Sequence, residues 1–151
     1  MKKVFALALS FFIVYAAQAQ FVARMEVKEP IPGVCDNKNV VVLMSMFKGQ
    51  KEAVCPVTKD SIEKRLNAEV DFLKDKPDYS DKGMVNIIIN CKGEVVQCQI
   101  DNKTKSADLD KQIVAVFNTL GAWKAGTLDK KPVDSSRLWS FTITNGKITT
   151  E

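Results

Sequence analysis

The sequence predicts an α+β fold, a small antiparallel sheet of three to four strands packed against two helices. Three observations predict it. Two stretches carry apolar residues at helical spacing behind a polar cap. Two alternating runs between them flank a short connection that ends in glycine. Further β-rich runs stand before the first helix and after the second.

Taken in order, residues 22–34 are interrupted by Pro30, Pro32 and Gly33 and read as a loop or an edge. Val40 to Met46 reads as a short strand, and Phe47 to Pro56 as a connection. Asp60 and Glu63 have capping-box spacing, and Ile62, Leu66, Val70 and Leu73 follow as one apolar stripe that Pro77 stops. Met84 to Asn90 and Glu94 to Ile100 form a hairpin around Cys91-Lys92-Gly93, with Cys98 expected opposite about Asn86. Ser106 caps a second helix, with Asp108 and Asp110 at its positive end. Leu109, Ile113, Val116, Phe117 and Leu120 make its buried stripe, and Gly121 ends it. Leu138 to Thr144 is the last strand, with Trp139, Phe141 and Ile143 on one face. A sheet this small leaves an edge open, and open edges are where peptides add as an extra strand.

The amino terminus has the order of a secretory signal. Lys2 and Lys3 precede an apolar run of about fourteen residues, too short to span a bilayer, and Ala17-Gln18-Ala19 has small residues placed for cleavage before Gln20. The expected division is residues 1–19 as signal, 20–57 as an amino-terminal extension tied by disulfides, and 58–151 as the main domain. Without Lys2 and Lys3 the chain has 20 basic against 18 acidic residues, a net charge of about +2. That balance excludes a nucleic-acid binder working through a basic stripe. The expectation is a periplasmic or secreted protein with no stable membrane insertion after cleavage.

Cys35, Cys55, Cys91 and Cys98 all follow the signal, and an even count in an oxidising compartment suggests two disulfides. None of their spacings is C-x-x-C. In the expected hairpin Cys91 sits at the tip and Cys98 more than about 10 Å along the strand, beyond disulfide reach. Cys91 and Cys98 are therefore expected to pair with the amino-terminal cysteines. Both arrangements stay open, with Cys55–Cys91 and Cys35–Cys98 favoured.

The chain has no histidine, which removes the commonest general base and metal ligand. Ser135-Ser136 near Lys130 and Lys131 reads as a polar turn rather than a nucleophile with its base, and Asp108 with Asp110 as helix-end electrostatics. Asn102-Lys103-Thr104 is only a formal glycosylation triplet. Trp123 and Trp139 would serve a sugar only as exposed, coplanar rings, and core burial is the commoner fate. No cofactor and no enzymatic activity is expected. Binding a protein partner is the leading function class. The alternatives are a secreted small-molecule or carbohydrate binder and an inhibitory or structural envelope protein.

From Gly83 to Ile143 the chain resembles the TonB carboxy-terminal domain, in the stand-alone version of Bacteroidetes-type bacteria. The similar features are Gly83 before an alternating strand, Lys92-Gly93-Glu94-Val95 at the turn, and Leu109-Asp110 opening the second helix. Trp123-Lys124-Ala125-Gly126 and Lys131-Pro132-Val133 are similar to that family's W-x-P-G and G-x-P-V segments, and Phe47 to Ala53 to its F-P-G-G-x-E-A lead-in. The resemblance implies a β-α-β-β-α-β-like fold and protein binding linked to envelope transport. It implies that the edge of the last strand pairs with a partner peptide in the cell envelope, such as that of an outer-membrane receptor. Carried over, that edge is Leu138, Trp139, Ser140, Phe141, Thr142, Ile143 and Thr144. The chain has five prolines and no proline-rich spacer, so it resembles a stand-alone module rather than an energy-coupling TonB.

Overall fold

The computed structural model describes residues 21–151; the expected signal and its cleavage point lie outside them. The described chain is a mixed α/β structure with two helices, a six-stranded mixed sheet and a second sheet of three short strands. This corrects the expected antiparallel sheet of three to four strands.

Short pairings that carry no sequence period make the difference. β1 (Ala23–Arg24) pairs antiparallel with β2 (Val41–Val42), and β3 (Gln50–Lys51) belongs to the second sheet. Helix α1 (Lys59–Glu69) follows, then β4 (Asp81–Ile89), β5 (Val95–Asn102) and helix α2 (Ala107–Asn118). β6 (Thr127–Leu128) and β7 (Lys131–Pro132) complete the second sheet with β3. β8 (Ser135–Thr144) and β9 (Lys147–Thr150) end the chain. The large sheet runs β1-β2-β8-β4-β5, with β9 also on β8. Its mixed character comes from one parallel pairing, Val41 with Ser135 and Val42 with Ser136.

Residues 21–57, expected as an extension, thus supply strands to both sheets. Of the strand expected over Val40 to Met46, only Val41–Val42 forms. The expected loop over 22–34 contains β1, and the expected connection over 47–56 contains β3.

Both helices cover one face of the large sheet. Ile62, Leu66, Val70 and Leu73 are buried, as are Leu109, Ile113, Val116, Phe117 and Leu120. They meet Val85, Ile87 and Ile89 of β4 and Trp139, Phe141 and Ile143 of β8 in one core. Burying a side chain of this size contributes about 1.5–3 kcal/mol, so these two stripes hold the layers together.

Ser106 caps α2 as expected, its Oγ accepting from the Leu109 N–H. Helix α1 is capped by Thr58, which accepts from the Ser61 N–H, rather than by Asp60 with Glu63. It ends at Glu69, well before Pro77, and a 3₁₀ turn over Asp71–Leu73 continues the apolar stripe. Glu63 instead accepts from the Thr150 N–H at 2.7 Å and fastens β9 to the helix.

The β4–β5 turn brings two backbones together. Gly93 has φ +87°, and its carbonyl accepts from the Trp123 N–H at 2.9 Å. A Cβ at Gly93 would stand 2.1 Å from the Trp123 carbonyl oxygen. Gly93→Ala is expected to lower unfolding free energy by about 2–4 kcal/mol in a denaturant titration, because positive φ and backbone overlap act together.

The Thr150 amide bonded to Glu63 holds its carboxyl below the usual glutamate range. A depressed folded value means that the contact stabilises in full above the unfolded value and is lost as pH falls through the folded one. Between about pH 6 and pH 3 the Thr150 amide resonance should follow Glu63 protonation, and Glu63→Gln should abolish that titration.

Candidate functional site

β5 is a terminal strand of the large sheet, paired on one side only, with β4. Its register shifts twice. Met84 faces Asn102 and Val85 faces Ile100, which leaves Asp101 as an extra residue. Ile88 faces Gln97 and Ile89 faces Val95, which leaves Val96 as another. These are β-bulges, and they bracket a regular run over Gln97–Ile100.

Strand alternation sorts the side chains of that run. Cys98 and Ile100 pack against the helix-side core. Gln97 and Gln99 fall on the opposite face, where they line a groove of about 470 Å³ whose other wall includes Met25, Val27, Pro30 and Pro32. The bulge at Val96 turns its side chain into a small second core with Ile31, Val40 and Ile88. That core exists because β4 is apolar on both faces: Ile88, between the helix-facing Ile87 and Ile89, is 1% exposed. The amino-terminal segment is what covers it.

Hydrogen bonds hold the segment there. Asn90, fully buried at the end of β4, accepts from the Lys92 and Glu94 N–H groups and donates to the Gly33 carbonyl and to Glu94 Oε2. Asp134 accepts from the Asp36 N–H at 2.7 Å and the Cys91 N–H at 2.8 Å. Between those two amides runs the disulfide Cys35–Cys91, with Cα atoms 6.2 Å apart. It forms one wall of a cleft of about 380 Å³ that Arg24, Asp36, Leu128 and Asp134 also line.

The structure corrects the favoured cysteine pairing. Cys35 bonds Cys91, and Cys55 and Cys98 are free thiols. Cys98 packs into the helix-side core, whereas residues 31–40 lie on the other face, so the sheet separates Cys35 from Cys98. Cys98 stands opposite Ile87, one residue from the expected Asn86, and does not pair with Cys91, as expected. Burial pushes the Cys98 thiol up to about 12 and raises that of Cys55.

The expected partner edge, Leu138 to Thr144, lies within β8 between two neighbours. β4 pairs with β8 from Ser135 to Ile143 on one side. On the other side β2 takes Ser135 and Ser136, β9 takes Phe141 to Thr144, and the Glu151 N–H bonds the Ser140 carbonyl. Phe141 to Thr144 therefore offer no free edge. A small notch of about 190 Å³ remains beside Arg137 and Leu138, and Leu138 is 51% exposed.

The signal for β9 was in the sequence. Asn145-Gly146 has φ +51° and +70°, and two positive φ values define the two-residue hairpin turn that this dipeptide favours. The β5 edge carries no comparable signal, because its being terminal depends on where the other strands pair.

The remaining candidates have structural roles. Trp123 and Trp139 are buried with rings 6.2 Å apart at 88°, which is not a coplanar platform. The Arg137 guanidinium lies 5.1 Å from the Trp139 ring centroid and donates to the Ala53 carbonyl. Ser136 shares a 2.7 Å hydrogen bond with Asn86 Oδ1. Asp110 accepts from the Thr104 N–H and hydroxyl, and Asp108 from the Gln112 amide.

Fold and site together define a disulfide-bonded α/β domain with one bulge-bracketed open edge strand. No family model, curated protein or solved structure matches this chain. No helix among the described residues is long and apolar enough to cross a membrane. The Cys35–Cys91 disulfide fits a compartment other than the reducing cytoplasm.

A thiol reagent at about pH 8 should label Cys98 slowly in the native protein, since the thiolate is the reactive form and little is present. In denaturant without reductant, two thiols should titrate and two should remain oxidised.

Proposed function

We propose that this protein is an exported, non-enzymatic binding module, periplasmic or secreted, that takes an extended peptide of a cell-envelope protein along the open edge of β5. The observation that carries the reading is an eight-residue strand paired on one side only. Main-chain groups on such an edge give affinity, and alternate side-chain sites give selectivity. Here Gln97 and Gln99 with the 25–32 wall make one set of sites, and the surface beside Cys98 and Ile100 makes the other.

The two bulges support selective use of this edge. Bulges twist an edge away from indiscriminate sheet-to-sheet pairing. Confining regular geometry to Gln97–Ile100 leaves room for a short peptide segment and disfavours a long flat strand. Edge-strand addition is also the mode that the resemblance to the TonB carboxy-terminal domain implies, with β5 in place of the last strand.

Peptides selected from a random library on the oxidised protein test the reading. Paired lysines on an edge oppose strand addition, so Gln97→Lys/Gln99→Lys should weaken binding by about tenfold or more, measured by calorimetry. Leu138→Lys should leave affinity unchanged. The reverse pattern would move the site to the β8 notch and sink the β5 assignment.

A further inference from the structure

We infer that the Cys35–Cys91 disulfide is a redox-labile latch that sets whether the wall formed by residues 25–39 stands against β5. The inference rests on the β5 reading for its functional meaning, but the latch itself is a property of the disulfide and its surroundings.

The wall is largely self-contained. The Met25 N–H bonds the Val40 carbonyl, the Ile31 N–H bonds Asn37 Oδ1, and the Asn39 N–H bonds the Asp36 carbonyl. Its attachments to the rest of the molecule are few. Among the described residues they include, besides the disulfide, the Asn90–Gly33 and Asp36–Asp134 hydrogen bonds, a 4.0 Å contact of the Asn86 amide with the Met25 sulfur, the two-residue pairing of β2 with β8 and its flanking Val41–Asp134 bond, and the small apolar cluster around Ile88. Gly33 packs closely on β5, where an added Cβ would stand 2.8 Å from Val96 Cγ1. The covalent tie at Cys35 lies close along the chain to this contact.

Cys35 is exposed and Cys91 half-buried, so the outer sulfur is open to attack. The reductant is a dithiol. One thiolate attacks Cys35 Sγ, the S–S bond breaks, and Cys91 leaves as a thiolate. The second thiol of the reductant then displaces Cys35, releasing it as a thiol, and the reductant departs as a cyclic disulfide. The protein gains two electrons. Both sulfurs and a carboxylate oxygen of buried Asp134 lie within 4.8 Å of one another. Reduction removes the covalent tie beside the carboxylate that holds the Asp36 and Cys91 amides, and leaves those two hydrogen bonds to hold the contact alone.

Amide hydrogen exchange by NMR tests the latch without a partner. The oxidised protein, the dithiothreitol-reduced protein and Cys35→Ser/Cys91→Ser are compared in a Cys55→Ser/Cys98→Ser background, which prevents new pairings. The Asp36 and Cys91 amides, both bonded to Asp134 across the contact, should exchange about tenfold or more faster in the reduced and serine forms, while Leu66 and Phe117 amides change less than about threefold. Unchanged exchange at Asp36 and Cys91 overturns the latch, and so does equal loss of protection throughout the molecule. A β5-edge peptide with the same affinity for oxidised and reduced protein would sink the regulatory meaning alone, and loss of β5 binding altogether would sink the functional reading while leaving the exchange result standing.

Discussion

β4 is buried on both faces and paired along both edges, and most of the architecture answers the demands this makes. Val85, Ile87 and Ile89 require a layer on one side, which the two helices supply. Ile88, with Asn86 and Asn90 beside it, requires cover on the other, and the described residues hold no third α-helix to give it. The amino-terminal segment meets that need with Ile31 and Val40. A buried asparagine is tolerated only when its polar groups are satisfied, and Asn90 is bonded at both its oxygen and its nitrogen. One of those bonds reaches the covering segment, so the polar and apolar requirements of β4 are met by the same stretch of chain.

How much of this was legible follows from the length of each signal. The helical stripes, the Ser106 cap and the β4–β5 hairpin were legible because each is a local pattern several residues long. The two-residue strands β1, β2, β3, β6 and β7 have no period to read, and their existence depends on partners far along the chain. Cys35–Cys91 belonged to an arrangement left open but not favoured, because pairing depended on which face each cysteine takes, and only tertiary structure sets which face the amino-terminal segment covers. The Thr58 cap and the β9 hairpin could have been read, since threonine before a helical stripe and Asn-Gly between β-rich runs are both local signals. The site was the least legible part. Which strand ends the sheet depends on all the pairings at once.

Closing the edge at β8 and leaving it open at β5 has a chemical logic. β8 carries Trp139, Phe141 and Ile143 into the main core, and a mobile edge there would expose the largest aromatic cluster in the described chain. β5 presents partly covered side chains with glutamines on its outer face, so water can solvate its free main-chain groups at little cost.

The parallel pairing of Val41 with Ser135 joins positions near the two ends of the described chain. A polypeptide that enters a compartment amino terminus first presents β2 long before its partner strand arrives. Until β8 arrives, the amino-terminal segment has no sheet position to occupy on that side, although Cys35 can already meet Cys91. Oxidation can therefore precede strand pairing during assembly and shorten the loop that must close, which lowers the entropic barrier to a topology of otherwise high contact order.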